Sequence, residues 1–299
     1  MPTNRAFNLE KYTRNHARKV DQALSQYLPS ARTKPTTIHK AMRYSLFAGG
    51  KRIRPILTIA AAEACGGSSL MALPLACAVE CIHTYSLVHD DLPSMDNDNY
   101  RRGQPTSHRV FGEGIAILTG DALLTQAFEI AAQARGSARY SNADTFREIT
   151  STAGSLNLIA GQVADIEASS KNLTLPQLRY IHERKTSALL TCSVRLGGMS
   201  ANCTANQLRA LTAFGNHVGL AFQVIDDILD VTSTTEQLGK TAGKDLKASK
   251  ATYPAITGLV KSRQIANQLT NKSFAALKPF KGKAKALEAI AQYLLKRKN

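Results

Sequence analysis

The sequence MALPLACAVECIHTYSLVHDD, residues 71–91, decides the architecture of the chain. Its apolar part is the longest in the protein, and Glu80 and His83 interrupt it before the chain reaches Asp90 and Asp91. A membrane span of about 20 residues carries few or no charges, so this run is typical of a helix buried in a protein core. The sequence therefore predicts a core helix whose end carries two carboxylates.

The same helical periodicity extends in both directions from this run. Val20, Leu24, Tyr27 and Leu28 follow the spacing i, i+4, i+7, i+8, and Pro29 ends that segment. Similar patterns cover residues 38–46, 55–65, 72–91, 114–134, 145–168, 176–197, 206–231, 253–270 and 283–298. We find no run in which apolar and polar residues alternate as in a strand, no hairpin signal and no change of composition that marks a linker. We therefore expect an all-α, single-domain helical bundle.

Composition restricts the function further. Hydrophobic residues make up 43% of the 299 residues and charged residues 20%, which excludes a disordered chain and a membrane-embedded bundle. Lys and Arg number 38 against 22 Asp and Glu, and the net charge of +16 indicates an anionic partner: nucleic acid, anionic lipid or phosphorylated small molecules. Five scattered cysteines without Cys-x-x-Cys spacing predict free thiols in a cytoplasmic protein.

Two acidic clusters predict a metal site. The first, DDLPSMDND, spans residues 90–98, and the second, DDILD, spans residues 226–230. Asp226 and Asp230 are four residues apart on one helix face, where their carboxylates repel each other unless a cation binds between them. Oxygen ligands in this number suit Mg²⁺, which commonly bridges to substrate phosphates. One cluster alone would equally fit a solvated helix end; two clusters, each at the end of an apolar run, favour a site.

Basic residues complement these carboxylates. GGKRIRP at residues 49–55 places Lys51, Arg52 and Arg54 at a glycine turn that opens a helix, where backbone N–H groups and the helix dipole favour anions. His83 lies two turns before the first acidic cluster, and a lone histidine there is more typical of a hydrogen-bonded core residue. Carboxylates and cations together in an apolar bundle predict a diphosphate substrate with an apolar tail inside the bundle.

The ordered motifs resemble those of the trans-isoprenyl diphosphate synthases, in particular the bacterial farnesyl diphosphate synthases. They are GGKRIRP, DDLPSMD, RRG at residues 101–103, GQVAD at 161–165, Lys185-Thr186, FQVIDDILD at 222–230 and GKTAGKD at 239–245. The resemblance covers essentially all of residues 1–299 and implies an isoprenoid synthase bundle with a central substrate cavity, usually a homodimer. It implies that dimethylallyl and then geranyl diphosphate condense with isopentenyl diphosphate to give farnesyl diphosphate (C15).

The resemblance also implies roles for the matching residues. It implies three Mg²⁺ ions per active site, for which Mn²⁺ can substitute. Their main ligands would be Asp90, Asp96 and Asp226, with support from Asp91, Asp227 and Asp230. The implied contacts of the allylic diphosphate are Arg101, Lys185, Thr186, Gln223, Lys240 and Lys250. The implied isopentenyl diphosphate site consists of Lys51, Arg54, His83 and Arg102. The resemblance thus implies that His83 contacts substrate, in place of the core role that its sequence position alone favours. Lys244 matches no family position.

Product length is predicted from the residues that precede Asp90. Tyr85 lies five residues earlier, a little more than one helical turn deeper, and Ser86 beside it is small. The resemblance implies that an aromatic residue here, combined with the two extra residues of DDLPSMD, stops elongation at C15. Simple core filling is the alternative role for Tyr85, and products that stop at geranyl or extend to geranylgeranyl diphosphate remain open.

Other protein classes fit the sequence less well. A class I terpene cyclase also uses an aspartate-rich motif, but this chain has no Trp and only 6% aromatic residues, and a cyclase does not need GGKRIRP. A basic nucleic-acid-binding protein would explain the charge, but we find no helix-turn-helix, zinc finger or run of stacking aromatics. A non-catalytic regulatory subunit would be expected to lose aspartates, and both clusters are intact. We therefore expect an enzyme with no nucleic-acid partner.

The basic C-terminal segment carries an apolar stripe at helical spacing. Its members are Leu287, Ile290, Ala291, Leu294 and Leu295. We expect this stripe to pack on the bundle while the surrounding lysines remain solvated, with no stable membrane anchor. A weak contact with anionic lipid is the alternative.

Overall fold

The computed structural model describes residues 7–168, 173–232 and 251–296, and these are almost entirely helical. The helices are α1 Leu9–Tyr27, α2 Thr36–Phe47, α3 Ile53–Ala64, α4 Ser69–Asp90, α5 Ser107–Phe111, α6 Glu113–Ala131, α7 Asn142–Ala153, α8 Leu158–Ala168, α9 Leu175–His182, α10 Ala188–Ser200, α11 Ala205–Thr232, α12 Tyr253–Thr257, α13 Leu259–Ala276 and α14 Lys285–Lys296. A π-helical turn, Glu183–Ser187, joins α9 to α10, and a 3₁₀ turn, Lys278–Phe280, follows α13. The predicted all-α fold is confirmed.

Helix α4 lies at the centre of the bundle, as its sequence predicts. It packs against α1, α2, α3, α6 and α10. Because it is apolar around most of its circumference, neighbours on every side are needed to remove it from water. Both α4 and α6 have the length and hydropathy of membrane spans, yet 67% of the tested part of α4 is buried inside the protein. The apolar run therefore forms a core helix, and a buried core helix gives the same hydropathy signal as a membrane span.

The predicted helix boundaries are wrong at two places where periodicity alone misleads. The predicted helix 145–168 divides at Gly154, whose N–H still donates to the carbonyl of Thr150, before α8 begins at Leu158. The predicted helix 253–270 divides at Gly258, which has a φ of +78° that favours glycine. The predicted helix 176–197 is continuous from Leu175 to Ser200 and contains the π-helical turn.

One further detail departs from the sequence prediction, and two agree with it. A two-residue antiparallel pair, β1 Tyr100–Arg101 and β2 Gln104–Pro105, forms just after the first acidic cluster. The C-terminal stripe packs as predicted: Leu287, Ile290, Ala291 and Leu294 are all buried, and α14 contacts α1, α3, α11 and α13. All five cysteines are free thiols, also as predicted.

Candidate active site

The first acidic cluster folds back over the end of α4. The N–H of Asp96 donates to the carbonyl of Asp90 at 2.8 Å, and the N–H of Asp98 donates to the carbonyl of Asp91 at 3.2 Å. This turn keeps Asp96 beside Asp90. Burial raises the pKa of Asp90 to about 6, and the neighbouring carboxylates of Asp96 and Asp91 act in the same direction. The helix end thus concentrates negative charge where water is partly excluded.

Asp91 and Arg101 form a bidentate ion pair. Arg101 donates from Nε to both carboxylate oxygens of Asp91, at 2.8 and 2.9 Å, and from Nη2 to Oδ1 at 2.6 Å. The Asp91 side chain is buried, and Arg101 occupies strand β1. The pairing positions the Arg101 guanidinium beside the acidic cluster, so Asp91 acts on the site through this arginine.

The π-helical turn brings Lys185 and Thr186 to the middle of the site. An ordinary side chain at Gly161 would collide with the backbone of Lys185, so glycine allows α8 to approach this turn closely. Lys185 Nζ lies 2.7 Å from Asp165 Oδ2, and the nearby Lys185 charge also counteracts the raised pKa of Asp90. π-Helical turns occur frequently at functional sites, because they direct side chains out of the regular helical register.

Hydrogen bonds connect this turn to the second acidic cluster on α11. Thr186 Oγ1 donates to Gln223 Oε1 at 3.1 Å, and Gln223 Nε2 donates to Asp226 Oδ2 at 3.3 Å. Lys185, Gln223 and Asp227 also line one small cavity of about 150 Å³. Lys185 therefore lies between the two acidic clusters, close to groups of both.

The remaining aspartates of the second cluster are buried. Asp227 Oδ2 accepts a hydrogen bond from the backbone N–H of Tyr253 at 2.8 Å, which ties the cluster to α12. Within the part of the chain that the structure describes, Asp230 Oδ2 is buried and has no hydrogen-bond partner. A buried carboxylate oxygen without a partner is costly, and a cation would satisfy it.

The donor chemistry of both clusters fits Mg²⁺. Carboxylate oxygens predominate, and the orphaned Asp230 oxygen offers a free ligand position. Across residues 7–168, 173–232 and 251–296, no three His, Cys, Asp or Glu side chains converge closely enough to hold one metal ion. Mg²⁺ commonly takes one or two protein carboxylates and completes its shell with water and substrate phosphate, so the separate clusters are compatible with this ion.

A second group of cations surrounds His83 on α4. Burial lowers the pKa of His83 well below its usual range, and Arg54 and Arg102 add to this effect, so the imidazole is neutral at pH 7. Burial also lowers the pKa of Arg54 to about 10, and Arg54 Nε is buried without a hydrogen-bond partner among the described residues. Guanidinium groups that are not already paired with a carboxylate are well suited to bind an anion.

The three cations of GGKRIRP point in different directions. Arg54 lines the cavity that also contains His83 and Asp90. Lys51 is exposed, with its ammonium 5.4 Å from the ring centroid of Tyr293 on α14, and lines a different cavity. Arg52 is buried and bound by protein groups, so its inclusion among the anion-binding cations was wrong. The cluster in the sequence does not correspond to one cluster in space.

These polar groups share a cavity of about 420 Å³. Arg54, His83, Asp90, Lys185 and Thr186 belong to its polar lining. The rest of the lining is largely apolar, comes from α4, α6, α8, α10 and the turn after α4, and includes Tyr85, Leu87, Met95, Leu124, Leu158, Ile159, Val163, Ile166 and Leu189. This shape suits a molecule with an anionic head and an apolar tail.

Tyr85 and Ser86 both line this cavity, as the predicted role in product length requires. The Tyr85 ring is 6% exposed and makes an edge-to-face contact with His89, their centroids 5.9 Å apart. The Ser86 hydroxyl donates to the carbonyl of His83 at 3.0 Å, so it forms no obstruction. Lys240, Lys244 and Lys250 lie outside the described residues.

Sequence reasoning assigned no role to two residues that the structure brings to the site. Asp165 pairs with Lys185, and the signal for it was the GQVAD motif, which was noted but left without a function. His89 lines the cavity and bonds through Nε2 to the carbonyl of Ile117 at 2.9 Å. An added side chain at Gly120 would collide with the His89 ring, and no sequence pattern indicates that contact.

Comparison with known proteins agrees with this geometry. The chain is 46% identical over 99% of its length to a dimethylallyltranstransferase from Fischerella ambigua, of which it covers 85%. It is 48% identical over 98% of its length to the heterodimeric geranylgeranyl pyrophosphate synthase large subunit 1 of Arabidopsis thaliana, of which it covers 81%. Further relatives, 44–47% identical, are also named geranylgeranyl synthases.

The fold is shared with solved structures. A geranyltransferase from Helicobacter pylori, solved with magnesium and isoprenyl diphosphate, matches with a TM-score of 0.86 and 31% identity over 98% of this chain and 99% of that one. The family model for polyprenyl synthetase matches residues 35–292, which include both acidic clusters and the residues that line the large cavity. The chain belongs to the polyprenyl synthetase family.

Proposed function

We propose that this prenyltransferase condenses an allylic diphosphate, dimethylallyl and then geranyl, head-to-tail with isopentenyl diphosphate. The observation that carries the proposal is the cavity whose lining combines Asp90, Lys185, Arg54 and His83 with many apolar side chains. An allylic diphosphate has the matching shape, with a charged head and a hydrocarbon tail. The protein chemistry needed at such a head is positive charge and metal binding.

The allylic diphosphate would bind between the two acidic clusters. Lys185 and Arg101 would face its phosphate oxygens, and Thr186 and Gln223 would supply hydrogen bonds. As the C–O bond ionises, negative charge grows on the departing diphosphate, and these preorganised donors stabilise it without reorganisation of solvent. Mg²⁺, which Asp90, Asp96 and Asp226 would hold together with the diphosphate, supplies Lewis-acid stabilisation when it is bound.

Isopentenyl diphosphate would bind at the second group of cations. Arg54 and Arg102 would pair with its phosphate oxygens, and neutral His83 can donate one ring N–H to them. The double bond of this substrate then attacks C1 of the allylic cation, and a proton is lost to the released diphosphate. The apolar walls exclude water, which would otherwise capture the cation.

The main product that we propose is farnesyl diphosphate, C15. Tyr85 supports this length because it lines the cavity a little more than one helical turn before Asp90. A second candidate is geranylgeranyl diphosphate, C20, which the names of several relatives favour. The deciding test is an assay with radiolabelled isopentenyl diphosphate and each allylic starter in turn, with and without Mg²⁺. A product no longer than C15 supports the first candidate, and C20 as the main product the second. No product from any starter would refute the proposed reaction.

We also propose that the protein is a cytoplasmic homodimer. Val110, Ile117 and Leu118 form exposed apolar surface on α5 and α6, which a second copy of the chain could cover. Five free thiols fit a reducing compartment. Sedimentation equilibrium tests the dimer, and a monomer at micromolar concentration would contradict it.

A further inference from the structure

Arg52 connects four parts of the bundle through one guanidinium group. Its Nε donates to Asp21 Oδ1 of α1 at 2.8 Å, its Nη1 to Glu80 Oε1 of α4 at 2.9 Å, and its Nη2 to the carbonyl of Leu46 in α2 at 2.8 Å. The side chains of Arg52 and Glu80 are 3% and 2% exposed, while that of Asp21 is 44% exposed. Glu80 is therefore the buried carboxylate that satisfies this charge.

The backbone around Arg52 is held in an unusual conformation. Arg52 has a φ of +50°, which is uncommon for a residue with a side chain, and Gly49 and Gly50 shortly before it have φ values of +92° and +128°. Residues in this region persist when their surroundings hold them there. The three hydrogen bonds of the Arg52 side chain provide that hold, so they determine the path of the loop that begins α3.

The shape of this loop in turn determines where the isopentenyl site residues lie. Arg102 Nη1 donates to the carbonyl of Gly49. A Cβ atom at Gly50 would lie 2.5 Å from Arg102 Nη1, so the loop backbone closely contacts the guanidinium. Arg54 follows Arg52 by two residues, and among the described residues neither Arg54 nor Arg102 has a salt-bridge partner of its own. The carboxylate of Glu80 counteracts the mutual repulsion of Arg52, Arg54 and Arg102.

We propose that Glu80, acting through Arg52, is a positioning residue for isopentenyl diphosphate: it fixes the Gly49–Arg52 loop and thereby places Arg54 and Arg102. This inference rests on the function proposed above. Glu80 itself touches no substrate, since its side chain is buried against Arg52. Loss of the Glu80 carboxylate is expected to displace Arg54 and Arg102, the cations for isopentenyl diphosphate. Lys185 and Arg101, the cations for the allylic diphosphate, should stay in place.

The test compares Glu80→Gln with Asp21→Asn, two near-isosteric changes that each remove one negative charge beside the same guanidinium. For Glu80→Gln we expect the KM for isopentenyl diphosphate to rise between about 10-fold and 100-fold, because small misplacements of binding groups have effects of this size. The KM for the allylic substrate should change less than about twofold, because Lys185 and Arg101 are held by other contacts. Asp21→Asn, at a partly exposed partner, should change either KM less than about threefold.

A binding measurement separates this inference from the proposed reaction. Titration of isopentenyl diphosphate into metal-free protein without allylic substrate should show the same weakening for Glu80→Gln. If Glu80→Gln does not fold, Arg52→Lys serves instead, because one ammonium cannot reach all three acceptors, and the same KM split is expected. A folded variant with both KM values unchanged and a lower kcat, or with both KM values raised equally, would overturn the positioning role. Wild-type protein that forms no prenyl product would refute the proposed function instead.

Discussion

Replacement of Tyr85 by Ala is expected to lengthen the product by one C5 unit. Tyr85 is 6% exposed and lines a cavity of about 420 Å³, so removal of its ring opens space in the cavity wall a little more than one helical turn before Asp90. Burial of five further carbon atoms contributes roughly 4 kcal/mol, at ~0.8 kcal/mol for each CH₂ group. Each 1.4 kcal/mol corresponds to about a tenfold change in a ratio, so even a third of this gain would shift the product from C15 mainly to C20.

The same substitution should destabilise the free enzyme. Large-to-Ala substitutions of buried aromatic residues cost about 3–5 kcal/mol, and the value here should lie at the lower end because Tyr85 borders an existing cavity. Urea unfolding followed by circular dichroism measures this change, and chromatography of labelled products measures chain length. Tyr85→Phe keeps the ring and Ser86→Ala removes only a hydroxyl from the next position, so both should retain the wild-type product. An unchanged product distribution in folded Tyr85→Ala, or C20 as the wild-type product, would show that Tyr85 does not limit length.

Three further predictions concern the polar groups of the site. Gly50→Ala should raise the KM for isopentenyl diphosphate by about tenfold or more, since its Cβ would lie 2.5 Å from Arg102 Nη1 at a φ of +128°; an unchanged KM would contradict the predicted contact. Chelation with EDTA should abolish product formation and leave the far-ultraviolet circular dichroism unchanged, because apolar packing holds the helices of the bundle together; activity that persists would exclude a metal requirement. The wild-type protein should lose unfolding free energy between pH 7 and pH 5, and the His83→Gln variant should lose less. The pKa of wild-type His83 is far below the unfolded value, so below about pH 6.5 the unfolded chain binds a proton that the folded protein does not, and stability falls. Urea titrations of both proteins at the two pH values measure the difference, and equal losses would contradict a desolvated His83.

The central helix and its acidic end could be predicted from sequence because the information is local. The apolar run before Asp90 has the length and pattern of one buried helix, and α4 ends at that residue. The i, i+4 spacing of Asp226 and Asp230 likewise places both on one helix, α11. Breaks at Gly154 and Gly258 were missed because the hydrophobic period continues past each glycine, whereas the helical backbone is interrupted there.

The division of roles among neighbouring charged residues could not be predicted in the same way. Lys51, Arg52 and Arg54 are nearly adjacent in sequence, yet one is exposed beside Tyr293, one is buried against Glu80, and one lines the cavity. Asp90 and Asp91 differ similarly, since Asp91 is occupied by Arg101. Which cation remains available to a ligand depends on partners that are distant along the chain.

The sequence by itself determined the helical class of this protein, the position of its core helix and the residue types that make a diphosphate site. Those properties follow from periodicity and side-chain chemistry, which neighbouring residues carry. Tertiary structure alone decided that Lys185 lies between the two acidic clusters, that Arg52 is a structural cation, and that Tyr85 faces the cavity. Each of these depends on which distant side chain or surface lies within a few ångströms, because hydrogen bonds, ion pairs and packing act over that distance in space and not along the chain.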